Sequence, residues 1–138
     1  MHLSIYTDGA SRKNPGESAS GYEIFDDGGR LLAERSLYNG IKTNNEAEYI
    51  AVIDALRRAL RDYGEGAEIT LHSDSQLIVN QMNGKFKIKN EGLKRLNLQA
   101  RSIASKFAKV RFVNVPRENE HIVSVDGGLN ALLDRMGK

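Results

Sequence analysis

The strongest constraint on this chain lies in its first dozen residues. His2 to Thr7 is rich in strand formers, then meets Asp8-Gly9 and the polar run Ala10 to Gly16. A strand that breaks straight after a carboxylate into a Gly/Asn/Pro turn aims that carboxylate into the space beyond the strand end. In an α/β sheet, ligands bind in that space. Taken alone, Asp8-Gly9 is also ordinary turn chemistry. Its meaning therefore depends on whether other acids reach the same place.

The remaining chain reads as one α/β domain over residues 1–138. Ser20 to Phe25 is a second strand, Asp26-Asp27-Gly28-Gly29 a hairpin turn, and Arg30 to Tyr38 a third strand closed by Asn39-Gly40. Tyr49, Val52, Ile53, Leu56, Leu60 and Tyr63 form a stripe at helical spacing, predicting a helix over about Asn44 to Tyr63. Thr43-Asn44-Asn45-Glu46 has the capping-box pattern, which gives Glu46 a structural duty at the helix start. Ala67 to His72 alternates as strand four and runs into Ser73-Asp74-Ser75-Gln76 and a short helix, Leu77 to Met82. A further helix follows Asn90, and Val110 to Val115 is strand five. The polar stretch Arg117 to Ser124 reads as a loop, and the last helix is entered at Asp126-Gly127-Gly128. The order β-β-β-α-β-α-α-β-α implies a mixed sheet with helices on both faces.

Composition narrows the chemistry. The chain has 138 residues, enough for one core, and no cysteine, so any metal must be held by oxygen or imidazole. The net charge of +2 is too small to identify a partner by itself. The first residues carry no signal-peptide pattern, and no apolar run approaches bilayer length, so a cytoplasmic location with no membrane partner is expected.

Four acids then fall into matching places. Asp8 and Asp74 each follow a strand, Glu48 lies on the first turns of the long helix, and Asp126 stands at a helix entrance. Each has a plain structural alternative: Asp8 as a turn residue, Asp74 and Asp126 as N-caps, Glu48 as a partner of the helix dipole. If strands one and four are parallel neighbours, however, Asp8 and Asp74 sit side by side. Four carboxylates cannot stay ionised together without cations, and the cation suited to such a set is Mg²⁺ or Mn²⁺. A pair of such ions about 3.5–4 Å apart is the clamp used for phosphodiester hydrolysis.

The chain resembles the type 1 ribonuclease H family, in a short form without the basic protrusion. The resemblance rests on five stretches in order: Tyr-Thr-Asp-Gly-Ala at 6–10, Asn-Pro-Gly at 14–16, Thr-Asn-Asn-Glu-Ala-Glu-Tyr at 43–49, Ser-Asp-Ser-Gln-Leu at 73–77 and Val-Pro-Arg-Glu-Asn at 115–119. It implies a ribonuclease H-like fold, a five-stranded mixed sheet of order 3-2-1-4-5 with helices on both faces. It implies an endoribonuclease that hydrolyses the RNA strand of RNA–DNA hybrids with two Mg²⁺ ions, leaving 3′-hydroxyl and 5′-phosphate ends. Asp8, Glu48, Asp74 and Asp126 are the implied metal-binding and catalytic carboxylates, with His121 as a loop histidine near the reaction.

The implied substrate contacts are Asn14, Asn44 and Gln76 along the minor groove, where amides can read the 2′-hydroxyl. Thr43 and Asn45 are expected to help seat a DNA phosphate. Phe86 is either an aromatic against the DNA strand or a core anchor for its loop. Lys85, Lys87 and Lys89 line the DNA backbone or form a solvated face. The spacing from Asn119 to Asp126 exceeds the usual one, and Gly127-Gly128 suggests a mobile entrance in which Asp126 orders only with metal and substrate. A monomer is expected. Three other functions share these features: a non-catalytic hybrid-binding module, a nuclease acting on DNA or double-stranded RNA, and a plain structural domain, which leaves the repeated acids unexplained.

Overall fold

The computed structural model describes residues Met1–Lys138. Its elements, in order, are β1 (His2–Ser11), β2 (Gly16–Phe25), β3 (Leu31–Lys42), α1 (Asn44–Tyr63), β4 (Glu68–Ser73), α2 (Gln76–Met82), α3 (Glu91–Ala104), β5 (Lys109–Asn114) and α4 (Glu120–Arg135). The sheet order is β3-β2-β1-β4-β5, as the resemblance implies. β1 pairs antiparallel with β2 and parallel with β4, and β4 pairs parallel with β5. No helix is long and apolar enough to cross a membrane.

The sheet is covered on both faces. Leu3 and Ile5 of β1, with Ile69 and Leu71 of β4, face one way into the main core under α1 and α3. The period of two in a strand sends the alternate residues to the opposite face. There α4 lies across β1, β2 and β3, and Val125, Leu129 and Leu133 pack with Ala19 in a smaller core. The buried hydroxyl of Tyr49 donates to Gln81 Oε1 at 2.6 Å and accepts from Asn97 Nδ2 at 3.1 Å. That chain ties α1, α2 and α3 together without leaving a buried polar atom unpaired.

β2 begins at Gly16 rather than Ser20, and three further boundaries differ from the sequence reading, each for a long-range reason. β1 does not end at Thr7. Its parallel pairing with β4 stops at Thr7–Ser73, but its pairing with β2 continues through Asp8–Gly21 to Ser11–Ser18. β3 does not end at Asn39-Gly40. The register there passes from Ala19–Tyr38 to Ser18–Gly40, so Asn39 is an extra residue in a bulge, and Gly40 takes φ +77°.

The third difference is the largest. α4 begins at Glu120, not at Asp126. Asn119 caps it, its Oδ1 accepting from His121 N at 3.0 Å and Ile122 N at 3.3 Å. Ile122, Val125, Leu129 and Leu133 then form one buried helical stripe. Gly127 and Gly128 therefore lie inside the helix rather than at a mobile entrance, at a propensity cost of about 1 kcal/mol each. Gly128 has a packing reason: a Cβ there would stand 2.9 Å from Ser36 Oγ of β3.

Candidate active site

β4 ends beside the middle of β1, and this mismatch in length builds the site. Asp8 is held in β1 one residue past the last β4 pairing, and Asp74 follows β4 directly. Asp74 is not the N-cap of α2. Ser75 takes that duty, accepting from Ile78 N at 3.3 Å, so the Asp74 carboxylate is left to face the cleft.

Glu48 arrives from α1. Thr43 and Glu46 form the reciprocal capping box, with Glu46 N donating to Thr43 Oγ1 at 3.1 Å and Thr43 N to Glu46 Oε1 at 2.9 Å. This fixes the helix start and leaves Glu48 free of capping duty. Gly9 explains how the helix comes so close. A Cβ at Gly9 would collide with the backbone of Ala47 and Glu48. Because none is present, Gly9 N donates directly to Glu48 Oε1.

The three carboxylates offer oxygens that all lie within 4.8 Å of one another. Asp8 and Glu48 are buried, and the Asp74 side chain is only 14% exposed. Burial, reinforced by the charge of Asp74, pushes Asp8 up to about 7. Burial and then the charges of Asp8 and Asp74 hold Glu48 well above the usual carboxylate range. Asp74 is also raised by burial, although the Arg117 guanidinium opposes the shift from 3.9 Å. Asp126 adds its charge to both Asp8 and Asp74 from the body of α4.

All four acids line a single cleft of about 770 Å³. An all-oxygen donor set too crowded to ionise alone fits hard divalent cations such as Mg²⁺ or Mn²⁺.

The other expected residues divide. Asn44 and Asn45 line the cleft. Asn14 and Asn44 are interlocked: Asn14 Oδ1 accepts from Asn44 N and Asn44 Oδ1 from Ser11 N, both at 2.9 Å. With both oxygens engaged, the amide NH₂ groups are left to donate outward. Thr43 spends its hydroxyl on the cap. Gln76 is exposed at the first position of α2, outside the cleft lining. Phe86 is 50% exposed between α2 and α3, so it does not anchor its loop in the core.

His121 needs a correction. Because α4 starts at Glu120, His121 lies in its first turn and not in a loop. Its ring packs on Tyr6 and Phe25, with centroids 4.4 and 4.6 Å away, and it does not line the cleft. The cleft also contains Arg117 and Asn130, which the sequence alone does not single out. Arg117 stands within the quoted Val-Pro-Arg-Glu-Asn stretch, so its signal was present. Asn130 lies one helical turn after Asp126, donating to the Asp126 carbonyl at 3.0 Å, and only a correct α4 start brings it into view.

A family model described as "Reverse transcriptase-like" matches residues 6–125. A crystal structure of RNase H1 from the halophilic archaeon Halobacterium salinarum superposes with a TM-score of 0.89 at 37% identity, covering 98% of this chain and 99% of that one. The chain belongs to the ribonuclease H family. LC11-RNase H1, in a structure with an RNA/DNA hybrid, is similar at a TM-score of 0.91 and 36% identity, with 99% of both chains covered. Among curated relatives, Ribonuclease HI of Halobacterium salinarum is 39% identical over 112 residues, 81% of this chain and 55% of that protein. "Bifunctional protein Rv2228c" of Mycobacterium tuberculosis is 37% identical over 118 residues, 85% of this chain and 32% of that protein. The chain thus spans from about a third to a little over half the length of these two relatives. Within the ribonuclease H family, its four acids are placed by β1, α1, the end of β4 and α4.

Proposed function

We propose that residues 1–138 form a single ribonuclease H domain that hydrolyses the RNA strand of RNA–DNA hybrids, acting as a monomer in the cytoplasm. The observation that carries the proposal is the convergence of Asp8, Glu48 and Asp74 oxygens within 4.8 Å at the base of an open polar cleft. The hybrid complex of the similar LC11-RNase H1 supports the choice of substrate.

Asp8, Glu48, Asp74 and Asp126 would hold two Mg²⁺ ions. When bound, these supply the positive charge that steadies the reacting phosphate and prepares a water for attack. The chain's own groups do the rest. The Gly9 amide fixes one Glu48 oxygen, so the carboxylate is oriented before substrate arrives. The outward NH₂ groups of Asn14 and Asn44 donate to the minor groove, where the 2′-hydroxyl distinguishes RNA from DNA. Arg117, 90% exposed at the rim, offers the approaching phosphate a positive charge. Attack of water on phosphorus with breakage of the P–O3′ bond, the 3′ oxygen leaving and taking up a proton, leaves 3′-hydroxyl and 5′-phosphate ends.

End-labelled hybrid, duplex DNA, duplex RNA and single strands, each incubated with Mg²⁺ or with EDTA, test the proposal. Only the hybrid's RNA strand should be cut, and only with Mg²⁺. A site that hydrogen-bonds a hydroxyl discriminates strongly against its absence, because its polar groups are left unpaired. Comparable cutting of duplex DNA would indicate a general nuclease. Retention of hybrid without cutting would indicate a binding module.

A further inference from the structure

A third acid is buried in the chain and has no part in the cleft. Glu23 of β2 is 6% exposed, faces α4 beside Tyr6, its register partner on β1, and does not line the cleft. Both of its oxygens face one helix. Ser124 Oγ donates to Oε2 at 2.6 Å, and His121 Nδ1 stands 3.8 Å from Oε1. Residues three apart share a helix face, so β2 holds α4 by the Ser124 hydrogen bond with the His121 ring beside it. A buried carboxylate costs more to place than an apolar side chain of similar size. Its retention amid Tyr6, Phe25 and the His121 ring therefore calls for a return.

We propose that Glu23 is a positioning residue for Asp126, acting through Ser124 and His121. The inference rests on the reading of Asp126 as a metal-binding carboxylate. Arg12 ties α4 through Asn130 O at 3.1 Å and Asp134 Oδ1 at 2.9 Å, one to two turns beyond Asp126; nearer the helix start, α4 is otherwise seated on the sheet by apolar contacts, as where a Cβ at Gly21 would meet Leu129 Cδ2 at 2.9 Å and Val125 Cγ1 at 3.1 Å. Such contacts fix how closely the helix approaches but resist rotation weakly, since dispersion is not directional. The grip by Glu23 fixes rotation, and Asp126 follows Ser124 by two residues. A side-chain tip about 5–6 Å from a helix axis moves about 1 Å for a rotation of about 10°. A misplacement of about 1 Å can cost as much as about a hundredfold in rate. The long interval from Asn119 to Asp126 has the same explanation. It carries the start of α4, which supplies both residues that contact Glu23.

The test compares Glu23→Ala, Glu23→Gln, Ser124→Ala and the Glu23→Ala/Ser124→Ala pair with Asp126→Asn. Three readouts are taken: steady-state cleavage of one hybrid, Mn²⁺ binding to the substrate-free protein by electron paramagnetic resonance, and thermal melting. Glu23→Ala should lower kcat about tenfold, within the range for a misplaced group. It should leave KM for the hybrid unchanged and weaken Mn²⁺ binding. Ser124→Ala should move the same quantities less, and the pair should be no worse than Glu23→Ala alone, because both remove one interaction. Glu23→Gln should stay near wild type, since its carbonyl still accepts from Ser124. The proposal is overturned if folded Glu23→Ala protein keeps wild-type kcat and Mn²⁺ affinity, or if Glu23→Gln is as impaired as Glu23→Ala. Should Glu23→Ala not melt cooperatively, Ser124→Ala decides by the same two readouts. If Asp126→Asn itself keeps wild-type turnover and Mn²⁺ affinity, the assignment of Asp126 fails, a result distinct from failure of its positioning by Glu23.

Discussion

Asp8→Asn should stabilise the metal-free protein at pH 8 while abolishing hydrolysis. Asp8 is buried against Asp74 and Glu48, and its folded-state value lies near 7 instead of the ordinary 3.8. The folded chain therefore takes up this proton more readily than the unfolded chain. The sign is opposite to that of a salt-bridged Asp: stability without metal is greatest below about pH 4, declines as pH rises towards 7, and levels off above it. At 1.36 kcal/mol per pH decade, the interval from 3.8 to about 7 is worth on the order of 4 kcal/mol. Asparagine keeps the size and removes the charge. In EDTA at pH 8, melting followed by circular dichroism should rise by about 10 °C over wild type. At pH 4, where Asp8 is already protonated in the folded state, the gain should nearly vanish. Added Mg²⁺ should raise the wild-type melting temperature and narrow the difference, because it binds the folded site. Equal melting of the two proteins at pH 8, or the same gain at pH 4 as at pH 8, would refute the reasoning.

Glu48→Gln should lower turnover on a hybrid by at least about a hundredfold, as expected for loss of a metal-holding charge. Glu46→Gln should leave turnover and melting nearly unchanged, because glutamine also completes a capping box; equal losses in the two variants would contradict the placement of Glu48. Gly9→Ala should destabilise the protein by about 1–3 kcal/mol in urea melts, as overpacking does, because the added methyl meets the backbone of α1. It should also lower turnover, because the α1 backbone that must yield carries Glu48. Arg117→Ala should raise KM for the hybrid, more at low salt than at high, with melting unchanged since the side chain is exposed. A salt-independent KM would remove Arg117 from phosphate contact.

The sequence was most legible where structure is made by near neighbours. The capping box at Thr43–Glu46 is an i to i+3 pattern, and α1 spans the residues its apolar stripe marks. The sheet order was legible through the family motifs, and the helical crossovers agree with it. What could not be read was decided by partners far away in the chain. Asp8-Gly9 reads locally as a turn, yet Gly21 of β2 keeps Asp8 in a strand, and β4 ends one residue short of it. Gly127-Gly128 reads locally as a helix entrance, yet the buried stripe from Ile122 to Leu133 on the sheet places both inside α4, with Gly128 close against Ser36 of β3.

His121 shows the same limit from the other direction. A lone histidine in a polar stretch resembles a loop residue near a reaction. Its position is settled by Asn119, which starts the helix beneath it, and by Tyr6, Phe25 and Glu23, which receive its ring. One displaced helix start therefore accounts for three differences at once: Asp126 in the body of α4, a histidine outside the cleft lining, and Asn130 within it. The carboxylates divide along the same line. Asp8, Glu48 and Asp74 are placed by a strand register, a local cap and a strand end. Asp126 is placed by how α4 is seated on the sheet, so substitution at Glu23 should move it while leaving the other three where they are.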